Sequence, residues 1–437
     1  MLVMKRIAYQ QLVDWKNSPS RKPLILRGAR QVGKTWLMKE FGKNEFNQLV
    51  YINFEASKQL HSIFQQGFEI PRILLALSIE TGINIQPENS LIVFDEIQEC
   101  PAALTSLKYF QENAPQIAII AAGSLLGVAM HANQSFPVGK VNFLDLYPMN
   151  FKEFLLANKQ AGLVQLLETK DWEMMVSFKD KFITQLKQYY FIGGMPEVVS
   201  SFVQQNDFAI ARTIQETILN AYEQDFSKHA PNQIVPRIRM VWQSITAQLA
   251  KENSKFLYSS LRTGSRAKDF ELALAWLGDA GLVHKITRIS KPNIPLSAYE
   301  DLNDFKLYLH DTGLLCAMGN IDAKTILQNN ELFQEFKGSL TEQFCLQQLK
   351  SLGIKPYYWT IPQSMAEVDF VIQLKDQVIP IEVKASENLM AKSLKIYATK
   401  FKPATCWRFS LSDYRAEEWL TNIPLYAISQ IETLVTN

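Results

Sequence analysis

Gly28-Ala29-Arg30-Gln31-Val32-Gly33-Lys34-Thr35 is the stretch that decides how this chain folds. It follows the apolar run Leu24-Ile25-Leu26 and leads through Trp36 into Leu37-Met38-Lys39-Glu40-Phe41. Strand, loop and helix are the expected order, with the spacing Gly-x4-Gly-Lys-Thr across the loop. Glycines let a loop backbone curl so that successive N–H groups turn inward, toward phosphate oxygens. A helix that starts where the loop ends adds the positive end of its dipole. Lys34 is then placed to reach β- and γ-phosphates, and the Thr35 hydroxyl to hold Mg²⁺. The nucleotide-binding stretch is thus expected to run from Gly28 through Trp36, with ATP and Mg²⁺ as its ligands.

Working outward, the next informative run is Leu91-Ile92-Val93-Phe94-Asp95-Glu96. Apolar residues ending in two carboxylates describe a buried parallel strand with acids at its C-terminal edge. Ligands of open α/β sheets bind at that edge. Asp95 is expected to hold Mg²⁺, and Glu96 to polarise the attacking water. A strand is also expected at 49–54, and mostly helix over 58–80. The strand Ile117-Ala118-Ile119-Ile120-Ala121-Ala122 leads into Gly123-Ser124. Ser124 is either a sensor of the γ-phosphate or part of a simple strand-ending turn.

These residues resemble the AAA+ ATPases, whose sheet has an extra strand between phosphate loop and acidic strand. A narrower resemblance covers nearly the whole chain. GARQVGKT, VYINFE, LIVFDEIQ, AAGS, PMNFKEF and FIGGMPEVV occur here in the order found in AAA_14-type ATPases that carry a C-terminal DUF4143 domain. In that family a Gly-Arg pair usually precedes the Phe-x-Glu-Phe segment, and the Arg is a candidate charge-stabilising finger. Here Gly139-Lys140 stands in its place. Lysine keeps the charge but lacks the planar fork that grips a phosphoryl group.

Further along, 151–201 shows helical spacing broken by Gly193-Gly194-Met195-Pro196, a helix stop or a hinge. The resemblance implies that 151–232 is a lid over the nucleotide. Within 233–318, Ser265 is a good N-cap for a helix over 266–277. Strand-like runs at 282–286 and 306–310 follow. Helices followed by a two-stranded element suggest a winged helix, whose second helix reads a DNA groove. Lys251, Lys255, Arg262, Arg266 and Lys268 cluster there. Such a patch contacts phosphates or is merely a solvated face. Asp311-Thr312-Gly313 carries no assigned role.

Over 330–437 the pattern is Glu342 on a helix, Asp369 on one strand and Glu382-Val383-Lys384 on the next. It resembles the PD-(D/E)xK, restriction-endonuclease-like fold. Asp369 and Glu382 would share Mg²⁺, a hard cation that prefers oxygen ligands. Lys384 would orient or deprotonate a metal-bound water, and Glu342 would complete the acidic site. Alternation along a strand puts residues 382 and 384 on one face.

The expected fold class is therefore α/β: a P-loop NTPase parallel sheet (1–150), a helical lid (151–232), a winged-helix-like middle and a restriction-endonuclease-like C-terminal domain. Composition fits this reading, with 437 residues, 47% hydrophobic and 20% charged. A formal net charge of +2 means any nucleic-acid surface must be local. Cys100, Cys316, Cys345 and Cys406 are scattered, which suggests reduced thiols in a cytoplasmic protein. The longest apolar run, 117–130, is shorter than the roughly 20 residues a membrane span needs, so no membrane partner is expected. Two functions follow: an ATPase that acts on or is regulated by DNA through a metal-dependent nuclease, or an ATP-dependent switch with a non-cutting scaffold. ATP sites of AAA-type proteins often lie between subunits, so a homo-oligomer is a further expectation.

Overall fold

The computed structural model describes residues 4–123, 137–250, 255–328, 334–361, 366–386 and 390–435. They pack as two units: Lys5–Tyr147 with Asp279–Leu282, and Pro148–Gly278 with the chain from Val283 onward. No described helix is long and apolar enough to cross a membrane.

The first unit is built on a parallel sheet of β1 (Leu24–Arg27), β2 (Gln48–Asn53), β3 (Ser90–Asp95), β4 (Ala118–Ala122) and β5 (Asn142–Asp145), in the order β2-β3-β4-β1-β5. Every residue of β3 and β4 is buried, as expected of strands covered on both faces. Ile92 and Phe94 pack with Ile25, Ile52, Ile119 and Phe110 in one core. Because the strands are parallel, their C-terminal ends share one edge. The loop after β1 and the acids after β3 therefore meet there, with β4 between the two strands. The helical stretch at 58–80 is two helices, Gln59–Gln66 and Ile70–Thr81, divided at Gly67. β5 gave no sequence signal. It is a four-residue edge strand whose side chains alternate between half-buried and exposed. It pairs with β1 from Leu24↔Asn142 to Arg27↔Asp145, reinforced by an Arg27–Asp145 ion pair at 2.8 Å.

In the second unit, the helix Phe151–Ala157 opens on a capping box. The Asn150 side chain accepts the Glu153 N–H, and Glu153 accepts the Asn150 N–H. The segment expected as a lid makes extensive contacts inside this unit. Phe151 and Tyr189 pack edge-on against Phe344 of the helix Gln334–Ser351, at 5.9 and 5.6 Å. Trp172 stacks on Tyr414 at 4.3 Å.

Gly193-Gly194 is a packed junction. A Cβ on Gly193 would lie 2.2 Å from Asp311 Oδ1, and one on Gly194 would lie 2.0 Å from the Met149 carbonyl oxygen. Buried Asp311 accepts hydrogen bonds from Gly194 N–H (2.6 Å), Leu314 N–H (3.0 Å) and Gln347 Nε2 (3.0 Å).

The middle has the expected order: helices Val235–Leu249 and Ala267–Asp279, then an antiparallel hairpin of β6 (Val283–Ile289) and β7 (Glu300–Leu309). The second helix starts later than expected. Asp269 reaches back to accept the Arg266 N–H at 3.0 Å, so Arg266 rather than Ser265 stands at its head.

The hairpin does not end a separate module. It continues into β8 (Tyr357–Thr360), β9 (Glu367–Leu374), β10 (Gln377–Val383), β11 (Trp407–Ser410), β12 (Arg415–Ala416) and β13 (Thr421–Pro424). Together they form one eight-stranded sheet, ordered β12-β13-β11-β10-β9-β8-β6-β7. Ile289 and Leu296 share a core with Tyr357, Trp359, Val368 and Tyr397. The expected boundary between 233–318 and 330–437 therefore has no counterpart in the sheet.

Within the C-terminal segment the order is helix, antiparallel β8-β9-β10, helix Lys392–Phe401, then β11 parallel to β10. The turn Lys375-Asp376 joins β9 to β10 with Lys375 at φ 55°, the left-handed conformation that tight hairpins need.

Candidate nucleotide site and acidic centre

The loop after β1 is shaped by positive-φ residues: Gly28 (148°), Gln31 (67°) and Gly33 (95°). A Cβ on Gly28 would lie 2.2 Å from the Leu146 carbonyl oxygen, so only glycine passes beside the end of β5. Gly33 leads directly into the helix Lys34–Glu45, whose first N–H groups face the loop. Ala29 and Val32 are buried and anchor the loop from below. Arg6, also buried, donates to the Val32 carbonyl at 2.9 Å and to the Tyr147 carbonyl at 2.6 Å. The sequence gave no hint of that clasp, because Arg6 sits in an unremarkable polar leader.

Lys34 folds over the loop, with Nζ 2.7 Å from the Gly28 carbonyl and 2.8 Å from that of Ala29. Burial pushes its ammonium down to about 8, against the opposing pull of Glu96 and Asp95. The sign of the pH dependence follows. Above about pH 8 Lys34 is neutral in the nucleotide-free protein, and meeting a triphosphate requires proton uptake. ATP affinity is expected to fall by up to ~tenfold per pH unit above that point, levelling near the ordinary lysine value of roughly 10.4. Equilibrium titrations with Mg–ATP across this range check the slope. An affinity flat with pH would contradict it.

Asp95 is buried and fully engaged. Thr35 Oγ1 donates to its Oδ2 at 2.7 Å, the Tyr51 hydroxyl to the same oxygen at 2.8 Å, and the Glu96 N–H to Oδ1 at 3.1 Å. This oxygen-rich donor set fits Mg²⁺, which Thr35 and Asp95 would hold. Tyr51 was not foreseen. It lies on β2 two residues before Asn53, which pairs with Asp95. The Lys39 ammonium sits 3.7 Å from its ring centroid.

Glu96 takes φ 49°, a left-handed conformation uncommon outside glycine, which carries it out of the strand line. Its Oε2 accepts a hydrogen bond from Gln98 at 2.7 Å. Ser124 lies outside the described residues. Lys140 departs from expectation: it pairs with Glu112 at 3.0 Å. It precedes β5, whose first residue pairs with the first residue of β1, so it stands at the sheet edge opposite the phosphate loop. Within one chain it does not meet the phosphates.

In the second unit, Asp369 on β9 accepts the Val383 N–H at 2.6 Å, and Lys384 pairs with Glu382 at 2.6 Å. Glu382 is 5% exposed, and its Oε2 has no hydrogen-bond partner among the described residues. Glu342 turns elsewhere. Its Oε2 accepts from the Tyr308 hydroxyl at 2.7 Å and lies 3.5 Å from Lys306 Nζ. Lys306 also pairs with Glu367.

Among the described residues no group of three or more His, Cys, Asp or Glu side chains is gathered to hold a metal. The expected three-carboxylate arrangement is thus reduced to Asp369 and Glu382, whose hard oxygens and one unpartnered atom fit a divalent cation. Burial, then the charges of Glu382 and Glu342, push Asp369 well above the usual carboxylate range. Burial also raises Glu382, with Lys384 opposing. For Lys384, burial disfavours the charge but Glu382 outweighs it and raises the ammonium.

Comparison with known proteins assigns these parts. Residues 20–155 match the model of an AAA domain (AAA_14), 337–428 that of the domain of unknown function DUF4143, and 183–325 that of DUF8612. The DUF8612 match crosses the boundary expected at 232. Uncharacterized proteins of Mycobacterium tuberculosis and Mycobacterium bovis are each 25% identical over 398 residues, 89% of this chain and 75% of theirs. A Walker-type ATPase of Pyrococcus abyssi is similar at 16% identity and a TM-score of 0.45, over 72% of this chain and 96% of that one. With its parallel sheet, phosphate loop and acidic strand in the first unit and its DUF4143 match in the second, the chain combines an AAA-type ATPase domain with a C-terminal DUF4143 domain.

Proposed function

We propose that this chain binds and hydrolyses ATP, and that the nucleotide state governs a DNA-directed C-terminal centre. The carrying observation is the hydrogen bond from Thr35 to Asp95, beside Lys34 and ahead of the left-handed Glu96. Loop N–H groups and Lys34 would hold the β- and γ-phosphates. Mg²⁺, when bound, supplies positive charge at the phosphate oxygens. Tyr51 fixes the Asp95 carboxylate, while Glu96 would accept a proton from the attacking water. Lys140, at the opposite sheet edge, would serve only the site of a neighbouring copy.

The DNA reading rests on Arg262, Arg266 and Lys268, which are exposed at the head of the helix Ala267–Asp279. Lys255 instead pairs with Asp304 at 2.8 Å, and Lys251 lies outside the described residues. Asp369 and Glu382 would hold a divalent cation, and Lys384 would orient water against a phosphodiester.

A second reading, a switch with a non-cutting scaffold, is favoured by the closed Lys384–Glu382 pair and by Glu342 turning away. The test measures ATP hydrolysis and Mg²⁺-dependent cleavage with single-stranded, duplex and branched DNA. Asp369→Ala is expected to reduce cleavage at least ~100-fold while ATP hydrolysis persists. Absence of cleavage by the wild type on every substrate would favour the switch.

A further inference from the structure

The acidic centre contains a lysine that its sequence motif does not include. Lys306 lies on β7, in the hairpin ahead of the C-terminal segment, and has no solvent exposure. Its ammonium pairs with Glu342 at 3.5 Å and, more closely, with Glu367. Tyr308, two residues on and so on the same strand face, donates to Glu342 at 2.7 Å. A buried, unpaired ammonium costs several kcal/mol, and pairing on two sides is what makes this placement tolerable.

We propose that Lys306 is a built-in counter-cation that limits the acidic centre to one divalent ion, by holding Glu342 and Glu367 out of coordination. The inference rests on the metal-centre reading above and goes beyond it. Four carboxylates, Glu342, Glu367, Asp369 and Glu382, interact electrostatically with Lys306 or with one another, and Lys384 pairs with Glu382. Lys306 takes up Glu342 and Glu367, which leaves Asp369 and Glu382 as oxygen donors for a single divalent cation. The remaining ligand capacity is on the other side of the centre. Glu382 is 5% exposed and its Oε2 has no hydrogen-bond partner among the described residues. A metal needing a second site would have to displace Lys306, a fully buried cation, from between two carboxylates. Lys306 thus acts on Glu342 and Glu367 as a positioning residue.

The experiment is a Mn²⁺ titration of the nucleotide-free full chain, read by the electron paramagnetic resonance signal of free Mn²⁺. It is run in an Asp95→Asn background, so that the other oxygen-rich site does not contribute. One ion per chain is expected, with affinity reduced at least ~tenfold by Asp369→Asn. Lys306→Met frees Glu342 and Glu367, and two ions per chain are expected. Lys306→Arg keeps the charge and should keep one ion. Two ions in the wild type would overturn the proposal, as would one ion of unchanged affinity in a folded Lys306→Met. If circular dichroism shows Lys306→Met unfolded, the wild-type and Lys306→Arg stoichiometries decide. Mn²⁺ binding that is absent or indifferent to Asp369→Asn would overturn the metal-centre reading itself, an outcome distinct from two ions.

Discussion

Replacing Glu96 with glutamine is expected to cut ATP turnover by about 10²–10⁴-fold while Mg–ATP still binds. The two adjacent acids at the end of β3 have different surroundings. Asp95 accepts hydrogen bonds from Thr35, Tyr51 and the Glu96 N–H, which fix its carboxylate and leave it unsuited to taking a proton from water. Glu96 has its backbone turned to φ 49° and one oxygen held by Gln98. Its side chain is therefore oriented by Gln98. Glutamine has nearly the same shape and can keep a hydrogen bond to Gln98, but it cannot accept the proton. Phosphate release measured beside equilibrium binding separates the effects. Turnover within about threefold of the wild type would remove Glu96 from the mechanism.

The second large effect lies in the other unit. Asp311→Ala is expected to destabilise the second unit by about 3 kcal/mol or more. Its buried carboxylate joins three segments through Gly194, Leu314 and Gln347. Next to it, Thr312 N–H and Oγ1 both bond to Gln347 Oε1, at 2.9 and 2.6 Å. Burial raises the Asp311 carboxyl above its ordinary value while these donors oppose the rise. All of its partners are donors. Asp311→Asn would therefore turn an amide N–H toward another donor, and should be nearly as damaging as alanine despite its matching shape. Denaturant unfolding of the variants, followed by tryptophan fluorescence, checks both. An Asp311→Asn variant within about 0.5 kcal/mol of the wild type would refute the hub.

What the sequence made legible was local. The loop glycines announced their positive φ, and the apolar runs of β3 and β4 announced burial on both faces. The alternation of Glu382-Val383-Lys384 correctly placed a carboxylate beside an ammonium. What escaped was carried by contacts distant in sequence. Arg6 meets Val32 and Tyr147, and β5 is recognisable only beside β1. Gln343, Gln347 and Gln348 belong to no motif in the sequence. All three are buried, and their side chains satisfy backbone groups of Leu309, Thr312 and Phe151. Lys306 did leave a trace, as a lysine inside Phe305-Lys306-Leu307-Tyr308, where apolar neighbours argue against a solvated charge. The expected break between middle and C-terminal segments failed because a hairpin edge pairs with any compatible strand, and β6 pairs with β8.

The nucleotide site is tested most directly by equilibrium binding of Mg–ATP to the full chain and to Lys34→Ala, near pH 7. Lys34 is the side-chain cation expected to meet the phosphates, from a buried position against the loop carbonyls. The wild type should bind, and Lys34→Ala should lose at least ~100-fold in affinity, the cost of about 3 kcal/mol of charge-assisted contact. Wild-type affinity in a folded Lys34→Ala would contradict the assignment of the loop Gly28 to Thr35 as the nucleotide site.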